Sequence, residues 1–357
     1  MEQKTIRIKA NITKMAMFTD IHFGAKQNST GHNQDCLLYI DWFCNKVKQD
    51  KDIDAICFLG DWNENRSALD IDTLNYSYRG AKQLNELGLP IYFVIGNHDL
   101  YHRHTREVHS IIPFHEFSNF TVIEENTIVQ NKNQDDILMC PFLFHDEYPS
   151  LVQYNKVPIW LGHFEFKGFV ITGNTVKMPT GPDPELFKDT KLIFSGHFHK
   201  RQFSNNSNIV YIGNAFPTNF GDAGDDQRGM AIYDMGKEQV MFENWNECPR
   251  YIKTTLTDIL DGTTPLIENA RVKCVIDVPI SFEESAALKT TFTEKYKLRE
   301  FTLEESYEIK AAMMGEDMEV DLDDKLASVD ELVIIMLDDI DSKHIDNSIL
   351  IDIYNGL

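Results

Sequence analysis

No stretch of this sequence approaches the roughly 18 uninterrupted apolar residues that a membrane-spanning helix needs, so no membrane span is expected. The opening residues Met1-Glu2-Gln3-Lys4-Thr5-Ile6-Arg7 lack an apolar h-region, which argues against a secretory signal. Cysteine is sparse: Cys36, Cys44, Cys57, Cys140, Cys248 and Cys274 are scattered and form no C-x-x-C pair. They read as reduced, buried thiols in a cytoplasmic protein, not as a disulfide frame or a zinc knuckle. Internal repeats and low-complexity tracts are lacking too. Basic residues are scarce, with 34 Lys and Arg against 56 Asp and Glu, a net charge of −22. Taken as an average, that charge argues against a nucleic-acid partner, because phosphate binding uses Lys and Arg.

The charge is not evenly spread. Residues 301–357 carry 16 acids and 3 lysines, a net of −13, which leaves −9 on the first 300 residues. The chain therefore divides into parts that have to be read separately. Its 357 residues, 42% hydrophobic and 25% charged, are those of a folded protein of about two domains.

Short apolar runs bounded by Gly, Asp or Asn predict strands at Ile12–Thr19, Ile53–Leu59, Ile91–Ile95, Ile137–Leu143, Val157–Leu161, Leu192–Ser195, Ile209–Ile212 and Met230–Asp234. Apolar residues three to four apart predict helices over Asn33–Val47 and Ile71–Leu87. Strands alternating with helices give an α/β class. After Pro249 a smaller β-α-β pattern follows, with Arg271–Val278, Phe282–Tyr296 and Leu298–Leu303 as its elements. The resulting division is 1–248 for the main domain, 249–310 for a small capping domain, 311–326 for an acidic linker and 327–357 for a helical tail. Ser328 and Glu331 have capping-box spacing, and Val329, Leu332, Val333, Met336, Leu337 and Ile340 share one helical face. That face can dock on this chain's own core or in a partner's groove.

Five segments carry the chemistry, and each follows a predicted strand. They are Asp20-Ile21-His22, Gly60-Asp61, Gly96-Asn97-His98-Asp99, Gly162-His163 and Gly196-His197-Phe198-His199. Carboxyl ends of strands in α/β sheets are where ligands collect, so the five can converge. Asp, Asn and His together suit borderline divalent ions such as Mn²⁺ or Fe²⁺, with Zn²⁺ also admissible, and the lack of thiolates disfavours a structural zinc site. Asp20 and Asp61 each offer a carboxylate, and either can bridge two ions. Ions about 3.5–4 Å apart stabilise both the attacking and the leaving oxygen of an in-line phosphoryl displacement. His98 is cast as a general acid or phosphate-orienting group, with Asp99 holding its imidazole in place and keeping it cationic.

This ordered set resembles the calcineurin-like metallophosphoesterase superfamily, whose D-x-H, G-D, G-N-H-D, G-H and G-H-x-H pattern it reproduces over roughly residues 12–245. The resemblance implies a β-sandwich flanked by helices. It also implies one ion held by Asp20, His22, Asp61 and His199, and a second held by Asp61, Asn97, His163 and His197. His98 matches the family's catalytic histidine and Asp99 its supporting acid. The residues Gly162-His163-Phe164-Glu165-Phe166-Lys167-Gly168-Phe169 and Tyr211-Ile212-Gly213-Asn214 look like the SbcD-type DNA repair nucleases, above all their bacteriophage relatives. That branch implies an exonuclease and endonuclease that prefers Mn²⁺, with Mg²⁺, Fe²⁺ or Zn²⁺ as substitutes. It further implies an SbcC-type coiled-coil ATPase docked on the tail, action on DNA ends, and a homodimer formed through the nuclease domain. A phage-encoded chain would work in the host cytoplasm.

One departure concerns Glu64, which stands where cellular members of the branch often place a histidine. The substitution weakens the case for a secondary catalytic or DNA-positioning role at this position but not for metal binding, and Glu64 reads equally as a solvated turn acid. Arg66, Arg103, Lys200 and Arg228 flank the motif loops and are candidate DNA contacts, although each taken alone reads first as a solvated surface charge. His102, His104 and His109 follow Asp99 and read mainly as surface histidines. A phosphodiesterase of small nucleotides and a mainly scaffolding subunit of the ATPase complex are the competing functions.

Overall fold

A computed structural model describes residues 5–172 and 176–305. Its strands, in chain order, are β1 (Ile6–Ala10), β2 (Lys14–Phe18), β3 (Ala55–Leu59), β4 (Ile91–Val94), β5 (Phe120–Ile123), β6 (Thr127–Asn131), β7 (Ile137–Cys140), β8 (Ile159–Gly162), β9 (Val170–Thr172), β10 (Val176–Lys177), β11 (Leu192–Ser195), β12 (Gln202–Phe203), β13 (Ile209–Tyr211), β14 (Gly229–Asp234), β15 (Gln239–Asn244), β16 (Tyr251–Thr255), β17 (Arg271–Ile276) and β18 (Glu300–Glu305). Apart from a single turn at Ala25–Asn28, the helices are α1 (Thr30–Gln49), α2 (Ile71–Asn85), α3 (Leu256–Leu260) and α4 (Phe282–Lys295). Contacts group residues 1–304 as one unit and 305–357 as another, and the second lies outside the described residues save for Glu305.

Two sheets form the main body. One has the order β15-β14-β2-β3-β4-β5, the other β1-β6-β7-β8-β11-β13-β12. Within the first, β2, β3, β4 and β5 run parallel. Within the second, β7, β8, β11 and β13 run parallel. Strand alternation places the core. Met15, Met17, Cys57, Leu59, Tyr92 and Val94 pack with Ile137, Met139, Ile159, Leu161 and Phe194 in one apolar cluster between the sheets. The intervening Ala16, Phe18, Ile56, Phe58, Ile91 and Phe93 face the other way, against Ile40, Phe43 and Val47 of α1 and Ala81 and Leu84 of α2. Leu138, Trp160, Ile193 and Ile209 of the second sheet pack under 3₁₀ turns at Tyr148–Tyr154 and Pro184–Phe187. The result is a helix-flanked sandwich, the α/β class expected from the sequence.

Local signals explain the helix starts. Ser29 caps α1, and the Asp70 carboxylate accepts from Thr73 N at 2.7 Å to start α2. Ser281 and Glu284 make a reciprocal capping box at α4. The three-stranded sheet β16-β17-β18 has its own small core with Val272, Cys274, Phe292 and Phe301. It is tied back to α1 by an ion pair between Arg299 and the buried Asp35. The tail residues Val329, Leu332, Val333, Met336, Leu337 and Ile340 lie outside the described residues. Among the described residues, no helix is long and apolar enough to cross a membrane.

Candidate metal centre

The five motif loops leave parallel strands of the two sheets and meet at one edge of the sandwich. Asp20 and His22 follow β2, Asp61 follows β3, Asn97, His98 and Asp99 follow β4, His163 follows β8, and His197 and His199 follow β11. Because both sheets end their parallel strands at this edge, sequence segments up to 177 residues apart come into contact, as with His22 and His199. Backbone bonds lock two loops together: Asp20 N donates to Gly60 O at 3.0 Å and Phe23 N to Trp62 O at 2.8 Å. A Cβ on Gly60 would collide with the His163 ring, and one on Gly96 with the Asp61 carboxylate. Only glycine therefore allows these loops to close.

Asp20, His22 and His199 offer one group of ligand atoms that lie together and Asp61, His163 and His197 a second, while His98 falls in a third with His22 and Asp61. Asn97 Oδ1 joins the second group, 2.9 Å from His163 Nε2 and 3.0 Å from His197 Nδ1. Asp61 stands between the two. Its Oδ2 is 3.2 Å from His163 Nε2 and 3.9 Å from His22 Nε2, while its Oδ1 accepts from His98 N at 2.8 Å. Asp20, Asp61 and His163 are almost wholly buried. Four of these residues have left-handed backbones: Asp20 (φ 51°), His22 (φ 54°), Asp61 (φ 61°) and His197 (φ 86°). Such conformations cost about 1–3 kcal/mol each and persist where surrounding structure imposes them, commonly at functional sites.

The donor chemistry fits divalent cations. His163 Nδ1–H donates to Leu59 O at 2.7 Å, so its Nε2 lone pair turns inward. His22 Nδ1 lies 2.6 Å from Glu64 Oε2, which directs its Nε2 inward likewise. There, His22 Nε2 comes within 3.2 Å of His199 Nε2, and His163 Nε2 within 3.3 Å of His197 Nδ1. Nitrogens packed this closely need a proton or a cation between them. The pKa pattern agrees. Burial acts to lower His22 and His163, yet Glu64 and Asp61 for the first and Asp61 for the second raise both to about 9. Burial and the neighbouring His163 push His197 down to about 3, a neutral ligand-ready ring. Burial also lowers His199. A centre that draws protons onto its histidines binds metal in exchange for them.

Asp99 departs from the role expected of it. Its carboxylate is fully buried and accepts from the amides of Asp61 (3.1 Å), Trp62 (3.0 Å), Asn63 (3.0 Å) and Gly96 (2.9 Å), with no bond to His98. It braces the Asp61 loop because a one-residue step along the chain turns its side chain away from its neighbour's. Burial, then the Asp61 charge, raises it to about 7. Asp99→Ala leaves buried amides without acceptors and is expected to cost about 2–4 kcal/mol, read as a lower denaturant midpoint. The group that meets His98 is Glu64: its carbonyl oxygen accepts from His98 Nδ1–H at 2.9 Å, and its carboxylate is 3.7 Å away. Glu64 is therefore not a solvated turn acid. Burial acts to raise it, but the bond to His22 and the nearby His98 bring it down to about 2.

The four candidate DNA contacts separate. Arg66 is half-buried close enough to Arg103 and Asp61 to feel both charges. Lys200 is half-buried and follows the candidate ligand His199, and Arg103 is exposed. Arg228 is corrected: its side chain is 1% exposed and paired with Asp222 and with Asp225 at 2.9 Å, so the neutralising acids keep it inside the fold and away from a phosphate. Sequence reasoning also missed three buried polar residues of α1. His32 Nε2–H donates to His22 O at 2.9 Å, Asn33 Oδ1 accepts from Gly24 N at 2.8 Å, and Asp35 pairs with Arg299. Polar residues on the otherwise apolar face of α1 were the available signal.

Residues 13–201 match the family model described as calcineurin-like phosphoesterase. Among characterised proteins, exonuclease subunit 1 of Enterobacteria phage T4 is 25% identical over 189 residues, 51% of this chain and 53% of that protein. The chain thus spans about half the length of the curated relative it matches. Two solved structures also align. An archaeal phosphodiesterase gives a TM-score of 0.37 at 9% identity, covering 65% of this chain and 99% of that one. A dimetal phosphatase from Danio rerio gives 0.41 at 8% identity, covering 66% and 96%.

Proposed function

Because this chain belongs to the calcineurin-like phosphoesterase family, we propose that it is the nuclease subunit of a DNA-end-processing complex, a two-metal phosphodiesterase that works best with Mn²⁺. The observation that carries the reading is the Asp61 carboxylate set between two donor groups, with His98 beside it. Likeness to an exonuclease subunit of a phage supports a nucleic acid as the substrate, and DNA is the one proposed.

Asp20, His22, Asp61 and His199 would hold one ion, and Asp61, Asn97, His163 and His197 the other. The ions supply Lewis-acid polarisation of the phosphate and positive charge for its transition state. His98 gives a proton to the leaving oxygen. Glu64 fixes that ring through Nδ1, which leaves Nε2 for the substrate. Arg66, Arg103 and Lys200 are proposed to meet the flanking phosphates. The net −9 of the first 300 residues does not oppose this, since two divalent ions add about four positive charges where the substrate binds.

Assembly is part of the proposal. The word "subunit" in the relative's name supports a partner, and an SbcC-type coiled-coil ATPase docked on the tail face from Val329 to Ile340 is the one proposed. The exposed Leu38 of α1 and Ile71, Leu74 and Tyr78 of α2 support a homodimer through this side of the nuclease domain. The β16-β17-β18 unit is proposed as a capping domain over residues 249–310, and the complex is placed in the cytoplasm.

The deciding assay offers end-labelled duplex DNA with Mn²⁺ or Mg²⁺ beside a panel of cyclic and small nucleotides. Cleavage of DNA, faster with Mn²⁺ and stopped by EDTA, is expected. Turnover of the small substrates alone overturns the reading. Glu64→Gln keeps the side chain's size and removes its charge from His22. Mn²⁺ affinity by calorimetry is expected to fall about 10–100-fold with the fold intact by circular dichroism.

A further inference from the structure

Among the described residues, one more cluster of metal-type donors shares no residue with the centre: His109, His115 and Glu124. His109 Nε2 lies 2.8 Å and His115 Nε2 3.1 Å from the same carboxylate oxygen, Glu124 Oε1. All three donor atoms fall within 4.8 Å of one another. Each comes from a separately anchored piece of chain. His109 is fixed by its bridge to Leu100 and by Tyr101 N donating to Val108 O at 2.9 Å. His115 sits on the 3₁₀ turn Ile112–Glu116, which is pinned by the buried Ile111 and Phe114. Glu124 directly follows β5. The donors are thus held together by the fold rather than by their own side-chain preferences.

We propose that His109, His115 and Glu124 form a structural site for one zinc-type divalent ion, with water in the fourth position. Two imidazoles and one carboxylate are a donor set zinc uses, whereas Mg²⁺ and Ca²⁺ favour all-oxygen sites. The His109 side chain is only 2% exposed, while those of His115 and Glu124 are 43% exposed, so the cluster has a fixed floor and an open rim through which an ion enters. His109 Nδ1 has no hydrogen-bond partner among the described residues, so the ring's single proton can sit there and leave the Nε2 lone pair for the ion. Burial lowers its pKa, which keeps the ring neutral for ligation. The Glu124 carboxylate offsets half of the ion's charge.

Such an ion would clip the end of β5 to the Leu100–Glu116 segment. That segment returns directly to the centre: Ser110 N donates to Asp99 O at 2.9 Å, and Asn63 Nδ2 donates to Ser110 Oγ at 3.0 Å. The clip would stiffen the chain that follows Asn97, His98 and Asp99 without touching substrate. The competing account is that Glu124 merely accepts a hydrogen bond from each imidazole.

Zinc content is measured on the full chain after dialysis against limiting Zn²⁺, for wild type, His115→Ala, Glu124→Gln and His163→Ala. Wild type is expected to retain one more zinc per chain than His115→Ala or Glu124→Gln. His163→Ala, impaired only at the main centre, is expected to keep it. Cobalt substitution is expected to add the visible absorption of one more four-coordinate ion in wild type and His163→Ala, over and above whatever the main centre gives, and His115→Ala and Glu124→Gln are expected to lack that added share. Equal zinc counts and equal cobalt spectra in wild type and Glu124→Gln overturn the proposal. Because Glu124→Gln is nearly isosteric, a folding failure in His115→Ala alone does not blunt the test.

Discussion

Asp61→Asn is expected to reduce phosphodiester hydrolysis about a thousandfold or more, with Mn²⁺ affinity falling alongside it. Asn keeps the volume, and its amide oxygen can still accept from His98 N, as Asp61 Oδ1 does at 2.8 Å. The change therefore removes the negative charge between the two donor groups and puts an amide nitrogen, which has no lone pair to give, in place of Oδ2. Charge stabilisation by metal ions is worth several kcal/mol in the transition state, and about 4 kcal/mol corresponds to a thousandfold at 1.36 kcal/mol per decade. Steady-state rates at saturating Mn²⁺, with calorimetry for binding, check both halves. A loss of less than tenfold would mean that the chemistry occurs elsewhere. The same carboxylate governs pH dependence. His22 and His163 are raised to about 9, chiefly against burial and through Glu64 and Asp61. In metal-free protein their contribution to stability is full below pH about 6.5 and is lost as pH rises through about 9. Metal binding has the opposite slope, since those protons must leave first. EDTA-treated wild type is therefore expected to lose stability across that window, and Asp61→Asn to lose less.

The candidate ligands that the fold brings together were legible in the sequence because each is local: a strand's apolar run, a Gly or Asp at its end, then a donor. The alternation that sorts Met15 and Met17 from Ala16 and Phe18 is likewise written along the chain. What escaped is what depends on distant partners. Strands β1 and β16 carry charged or polar residues at sheet edges, and β5 shows mixed exposure, so their apolar signal is weak. Asp99 was assigned to its sequence neighbour His98, whereas the buried carboxylate found the Asp61–Asn63 amides 36–38 residues away. Glu64 stayed open between a function and a turn acid because the two histidines it meets, His22 and His98, lie 42 and 34 residues from it. Arg228 looked like a surface cation because the acids that hold it, Asp222 and Asp225, give no sign in sequence of being folded around it. Residue type and spacing fixed which atoms could bind metal; which acid steadies which imidazole was a matter of tertiary contact.

His98→Ala is expected to lower kcat about 10²–10⁴-fold, the usual contribution of a positioned general acid, while leaving Mn²⁺ binding near wild type. The two effects separate because the hydrogen bond that His98 gives Asp61 comes from its backbone amide, which alanine retains, although the ring also lies close to Asp61. Its ring is held at Nδ1 by the Glu64 carbonyl, so a single nitrogen remains to face the leaving oxygen. Protonation of that oxygen matters in proportion to how poor a leaving group it is. A nucleoside alkoxide needs the proton, whereas a nitrophenolate departs nearly unaided. The variant should therefore be severely slowed on a dinucleotide and only slightly on a nucleoside nitrophenyl phosphate. Were His98 instead orienting the phosphate, both substrates would be slowed equally, since each presents the same phosphate to the site. The ratio of the two losses thus discriminates the acid from the orienting group, and equal losses would remove His98 from the proton-transfer step.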